Sequence, residues 1–142
     1  MNREIKFRAR RVTDGQWVYG DLVTKDIYHS CTIREAGVIV YGVDPETVGQ
    51  YVGRKDAAGN DVYEGDIFRH VDNDGEEHTF MVWWLEALSR WSTINQDDWF
   101  YLSQGADPEY DWFDKQLLTL EDVATHTIIG NLYDHPHKFI PQ

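Results

Sequence analysis

The 142-residue chain holds one cysteine, four prolines and two methionines. A lone thiol excludes an intrachain disulfide framework. No apolar run reaches the roughly 20 residues that a membrane-spanning helix needs, and no secretory leader pattern opens the sequence. A soluble protein in a reducing compartment is therefore expected, with no membrane partner. Basic residues are scarce: 13 Lys and Arg stand against 25 Asp and Glu, for a net charge of -12. That field repels phosphate backbones, so generic nucleic-acid binding is disfavoured. No glycine-rich loop joins a strand to a helix, because Gly15, Gly20 and Gly37 stand alone; a phosphate-cradling motif is missing.

Aromatic residues are plentiful, at 14% with six Trp and eight Tyr, which argues against disorder. A chain of this size buries roughly 68–70% of its extended surface, so a core needs no metal or disulfide staple. No linker, repeat or low-complexity tract interrupts it, and a single domain over residues 1–142 is expected.

The local patterns are those of strands. Ile5, Phe7 and Ala9 alternate with Lys6, Arg8 and Arg10, the period of a half-buried strand with a basic outer face. Asp14-Gly15 turns the chain into Trp17–Val23, in which Gly20 marks a bulge or a close backbone approach. Val38–Tyr41 is a short apolar β run, and Asp44-Pro45 suits the start of one helical turn. Gly49–Gly53 reads as extended. In Glu64-Gly65-Asp66, Gly65 supplies positive φ and Asp66 a side chain for nearby amides, before a strand at Ile67. Asp72–Gly75 reads as a hairpin turn before the strand Thr79–Trp84, with Trp91–Ile94 as partner and Trp99–Leu102 as a further short aromatic segment. Thr119 and Asp122 have capping spacing, and His126–Tyr133 reads as the last strand. The fold class is all-β, with short helical turns only.

Catalytic chemistry is thin. Cys31 and His29 could share a strand face, but nothing in the sequence lowers the thiol's pKa or supplies an oxyanion donor. The acidic pairs Asp97-Asp98, Glu76-Glu77 and Glu121-Asp122 are too numerous to be specific. His135-Pro136-His137 is the one close histidine pair, and no second pair stands at zinc spacing. No catalytic, cofactor-binding or metal-binding residue is assigned, and no cofactor is expected.

One stretch of the chain is distinctive. Between Arg90 and Lys115 there is no basic residue, while acids and aromatics crowd together. Aromatic side chains flanked by charge suit a protein contact. The candidate interaction surface comprises Trp99, Tyr101, Tyr110, Asp111, Trp112 and Asp114.

The blocks Arg3–Ala9, Trp17–Gly20, Val48–Asp56, Val62–Ile67 and Ile128–Pro136, in that order, resemble the YopX family of prophage and temperate-phage proteins. The resemblance covers nearly the whole chain; it departs at Arg10, where an aromatic residue is usual, and over the acidic stretch Asp97 to Asp114. It implies a pseudobarrel, a mixed sheet folded on itself, in a phage or prophage protein within the bacterial cytoplasm. It implies no reaction and transfers no functional residue. The leading expectation is a non-enzymatic accessory protein that contacts an unidentified phage or host protein or a second copy of itself. The alternatives are a barrel binding a small molecule or nucleic acid through its aromatic cluster, and a metal enzyme around His135 and His137.

Overall fold

A computed structural model describes residues 3–24, 31–105 and 118–140. The chain forms two compact units, Met1–Gly53 and Arg54–Gln142. Strands dominate both, and the described residues contain one α-helix, α1 (Gln96–Ser103). The β-dominated expectation is met, with one change: the strands form two antiparallel sheets and not one mixed sheet.

The first unit holds β1 (Phe7–Arg10), β2 (Trp17–Val23), β3 (Thr32–Glu35), β4 (Ile39–Gly42) and most of β5 (Gly49–Lys55). Their order is β4-β3-β2-β1-β5. The sheet curls until the segment after β4 touches the segment after β1, through the Arg11↔Val43 bridge. Val12 donates its amide to the Gly42 carbonyl at 3.0 Å, and Asp44 to that of Arg10 at 2.9 Å. The sheet is thus folded on itself, yet it is not a closed barrel. Inside the curl lie Ala9, Val18, Ile33 and Val43, with Phe7, Leu22 and Cys31 against them. As the sequence implied, Asp44 caps a 3-10 turn at Pro45–Thr47 by accepting from the Glu46 amide at 3.0 Å.

Two features of this unit differ from the sequence reading. Between Val23 and Val38, where the sequence patterns above give no element, the chain forms β3. The basic face of β1 is not a solvated one. The Arg8 guanidinium lies 4.9 Å from the Trp17 ring centre and that of Arg10 lies 5.5 Å from it, so one indole holds both cations. Arg8 is buried in consequence.

In the second unit, β5 ends beside β6 (Asp61–Tyr63). A separate sheet has the order β10-β7-β8-β9, formed by β7 (Asp66–Val71), β8 (Glu77–Leu85), β9 (Arg90–Asn95) and β10 (Ile128–Asn131). Both faces of β8 are covered. Met81 and Leu85 meet Ile67, Ile94, Leu132 and Phe139 on one side, while Phe80 and Val82 are buried on the other. The aromatic segment after β9 is helical and not extended. Asn95 accepts from the Asp98 amide at 2.8 Å and Asp98 returns the bond at 3.0 Å, a capping box that starts α1.

The Glu64-Gly65-Asp66 turn behaves as its residues require. Gly65 has φ of +93°. Its amide donates to the Val82 carbonyl at 2.8 Å and its carbonyl accepts from Leu132 at 2.9 Å. Asp66, buried, accepts from the Tyr63 amide at 2.8 Å. Gly65→Val should therefore lower stability by roughly 1–3 kcal/mol through backbone strain. Urea denaturation of the variant measures this, and an unchanged midpoint would contradict it.

Candidate functional site

Of the six residues proposed as a contact surface, Tyr110, Asp111, Trp112 and Asp114 lie outside the described residues. Trp99 and Tyr101 share α1 but not a role. Trp99 is half-buried, edge-on to Trp83 at 4.9 Å between ring centres and near Phe139 at 6.3 Å, so it belongs to the second unit's core. Tyr101 and its neighbour Phe100 are exposed and lie edge-to-face at 5.5 Å.

Burial pushes the Cys31 thiol above its ordinary pKa, the opposite of what an activated nucleophile needs. Its companion His29 lies outside the described residues. At the C-terminus the His135 and His137 rings stand 6.2 Å apart, and His135 Nδ1 accepts from the Asn131 amide at 3.3 Å.

The sequence reading missed the histidines that do come together. His70 Nδ1 and His126 Nε2 are 2.9 Å apart. His126 Nδ1 lies 2.7 Å from the Asp122 carbonyl, which can only accept, so that nitrogen carries a proton. One proton then bridges the two rings and ties β7 to the 3-10 turn Leu120–Thr125. On the same hairpin His78 Nε2 meets Asp72 Oδ2 at 2.8 Å. That bond, with amide donors from Glu76 and Asp74, holds the Asp72 carboxyl below its usual pKa against the effect of burial. Asp72, Glu76 and His78 bring one donor atom each within 4.8 Å of one another. Asp72 Oδ1 is already engaged by the Asp74 and Glu76 amides at 2.9 Å, as the hairpin turn demands. The sequence shows only the short spacing of His70, Asp72 and His78; the register that sets His70 opposite His78 comes from the pairing of β7 with β8.

Two further surfaces stand out. In the second unit, β9 and the segment from Leu118 to Glu121 enclose a cleft of about 360 Å³, which Arg54 also lines. Thr93 Oγ1 donates to the Leu118 carbonyl, tying the two sides together. Two residues after Arg54, the buried Asp56 carboxylate accepts from the amides of Ala58, Asn60 and Ile128 at 3.0, 2.8 and 3.1 Å. In the first unit, the tip and strand of the β3–β4 hairpin are apolar and open: Val38 is 81% exposed, Ile39 50% and Val40 52%.

These features define a small β protein of two units, built on antiparallel sheets that carry short capped turns. The chain belongs to the YopX family, whose family model (YopX protein) matches residues 6–139 and so spans both units. No curated protein matches the chain. Among the described residues no helix is long and apolar enough to cross a membrane.

Proposed function

We propose that this YopX protein is a non-enzymatic interaction module whose contact element is the exposed first half of β4 with the turn before it, and that a second copy of the chain is the partner this edge fits. The observation that carries the reading is the exposure of Ile39 and Val40 on β4, a strand at the end of its sheet order, and of Val38 in the turn before it. Edge strands are ordinarily protected by charge, proline or a bulge. Here residues 37–42 contain no charged residue and no proline, in a chain of net charge -12. An uncharged strip is where two such chains approach with least repulsion. The order Val-Ile-Val is also its own reverse. Antiparallel pairing about a two-fold axis at Ile39 sets Val38 against Val40 of the other copy and continues the sheet. Val12, 66% exposed and bonded to Gly42, extends the apolar strip. This reading needs no cofactor, and it takes the host cytoplasm as its compartment.

Sedimentation equilibrium tests the proposal. Wild type should self-associate reversibly at micromolar concentration. Ile39→Lys places two like charges at the two-fold axis and should shift the equilibrium to monomer, with the melting midpoint nearly unchanged. A wild type that stays monomeric at every concentration, or a Lys variant that associates as before, would refute it.

A further inference from the structure

The histidine pair of the second unit has a chemistry that neither the cleft nor the hairpin edge shares. His70 Nδ1 and His126 Nε2 meet at 2.9 Å, with the ring centres 5.1 Å apart and the ring planes at 46°. Both side chains stand on anchored backbone. His70 belongs to β7, which pairs with β8 on one side and β10 on the other. The His126 amide donates to the Val123 carbonyl at 3.2 Å, and the His126 carbonyl accepts from the Ala57 amide at 2.8 Å. The His126 ring is oriented as well, because Nδ1 donates to the Asp122 carbonyl at 2.7 Å. A neutral imidazole that holds its proton there keeps a lone pair on the other nitrogen, and here that is Nε2, which faces His70. Metal-bound imidazoles are held by the same kind of bond, the far N–H given to a carbonyl or carboxylate. Phe80, buried, lies edge-on to the His70 ring at 6.5 Å between centres and supplies apolar surface beside the pair.

From this arrangement we infer that His70 and His126 form a two-histidine site for a divalent transition-metal ion of the zinc class, the ion taking the place of the bridging proton. The geometry needs little change. Two imidazoles on one tetrahedral zinc, at about 2.0–2.1 Å per bond, set their nitrogens about 3.3 Å and their ring centres about 5.3 Å apart. The rings need only pivot until both lone pairs meet at one point, because their centres already stand within about 0.2 Å of that separation. The His70 proton moves from Nδ1 to Nε2, so both rings serve as neutral ligands. Water completes the coordination. The Asp122 carboxylate is not a ligand, since Oδ2 accepts from the Thr119 amide and hydroxyl at 2.8 and 3.0 Å. It does interact electrostatically with both rings, which favours a cation between them. Imidazole donors select zinc, nickel or copper over magnesium and calcium, which prefer oxygen. Other histidine groups fit less well. Both oxygens of Asp72 are engaged within its own hairpin, and the His135 and His137 ring centres stand 6.2 Å apart with His135 Nδ1 taken by the Asn131 amide.

Isothermal titration calorimetry of the full, tag-free chain with zinc chloride tests the site, with magnesium chloride as control. Zinc should bind with one equivalent at sub-millimolar concentration, and magnesium should not bind. His70→Ala and His126→Ala should each weaken zinc binding by about tenfold or more, the loss of one of two protein ligands. His78→Ala and His137→Ala should leave it unchanged. Should either of the first two variants fail to fold, long-range proton–nitrogen correlation spectra of the wild type carry the same test. Zinc should shift the His70 Nδ1 and His126 Nε2 resonances while His126 Nδ1 keeps its proton. Absence of zinc binding would overturn the inference. So would an affinity indifferent to both His70→Ala and His126→Ala, an affinity abolished by His78→Ala or His137→Ala, or nitrogen shifts confined to other histidines.

Discussion

Asp56→Ala is expected to destabilise the second unit by about 1–3 kcal/mol, because the part-buried hydrogen bonds it accepts are lost and the Ile128 amide in particular is left without its acceptor. The carboxylate accepts from Ala58, Asn60 and Ile128 amides and from the Asn60 side chain at 3.3 Å, and it is 5% exposed. Burial alone would raise its pKa. The hydrogen bonds from Ile128, Asn60 and Ala58 together outweigh burial, so the carboxyl titrates below its ordinary value. The sign of the pH dependence follows. An acid whose folded pKa is depressed contributes its full stability above the unfolded value of about 3.9 and loses it as pH falls through the folded one. Asp72 and Asp122 are shifted in the same direction, the latter first by the Thr119 amide. Wild type should lose stability as pH drops below about 4. Asp56→Asn should start lower at neutral pH and fall less steeply in acid. Urea midpoints measured across that range check both statements, and parallel acid limbs for wild type and Asn variant would contradict the second.

The other large effect lies in the first unit. Gly20 sits on β2 where the strand passes β3, and a Cβ there would land on the Arg34 carbonyl, 2.9 Å from its carbon and 3.2 Å from Glu35 Cα. These are backbone atoms of a paired strand, with Asp21 opposite Arg34, so no side chain can swing aside. Gly20→Ala should cost about 2–3 kcal/mol through overpacking and displacement of β3. Amide exchange should show the loss concentrated in the β2–β3 ladder. Uniform protection with an unchanged melting midpoint would refute the close-contact argument.

Local chemistry explains why some of this was legible beforehand. The Gly65 turn, the Asp44 and Thr119 caps and the Asp72–Gly75 hairpin each depend on residues a few positions apart, whose side chains satisfy neighbouring amides in most contexts. The pairing of Trp91–Ile94 with Thr79–Trp84 was readable for the same reason, since a short connection makes neighbouring strands pair. The helix α1 was less visible, because Trp99–Leu102 looks extended until Asn95 and Asp98 are recognised as a box. The candidate site was harder still. Trp99 read as a surface anchor, yet it packs on Trp83 and Phe139, residues 16 and 40 positions away in the chain.

By itself the sequence determined the β-dominated class, the positions of the tight turns and the family, because these rest on short-range backbone requirements and on motif order. Tertiary structure alone decided which side chains meet across long separations. It set Arg8 and Arg10 on one indole, brought His70 to His126, and gathered Arg54, Arg90 and Trp91 around one cleft. The physical reason is register. A period-two pattern says which face a residue occupies but not which strand or turn will lie against that face, and that choice is made only when the whole sheet has packed.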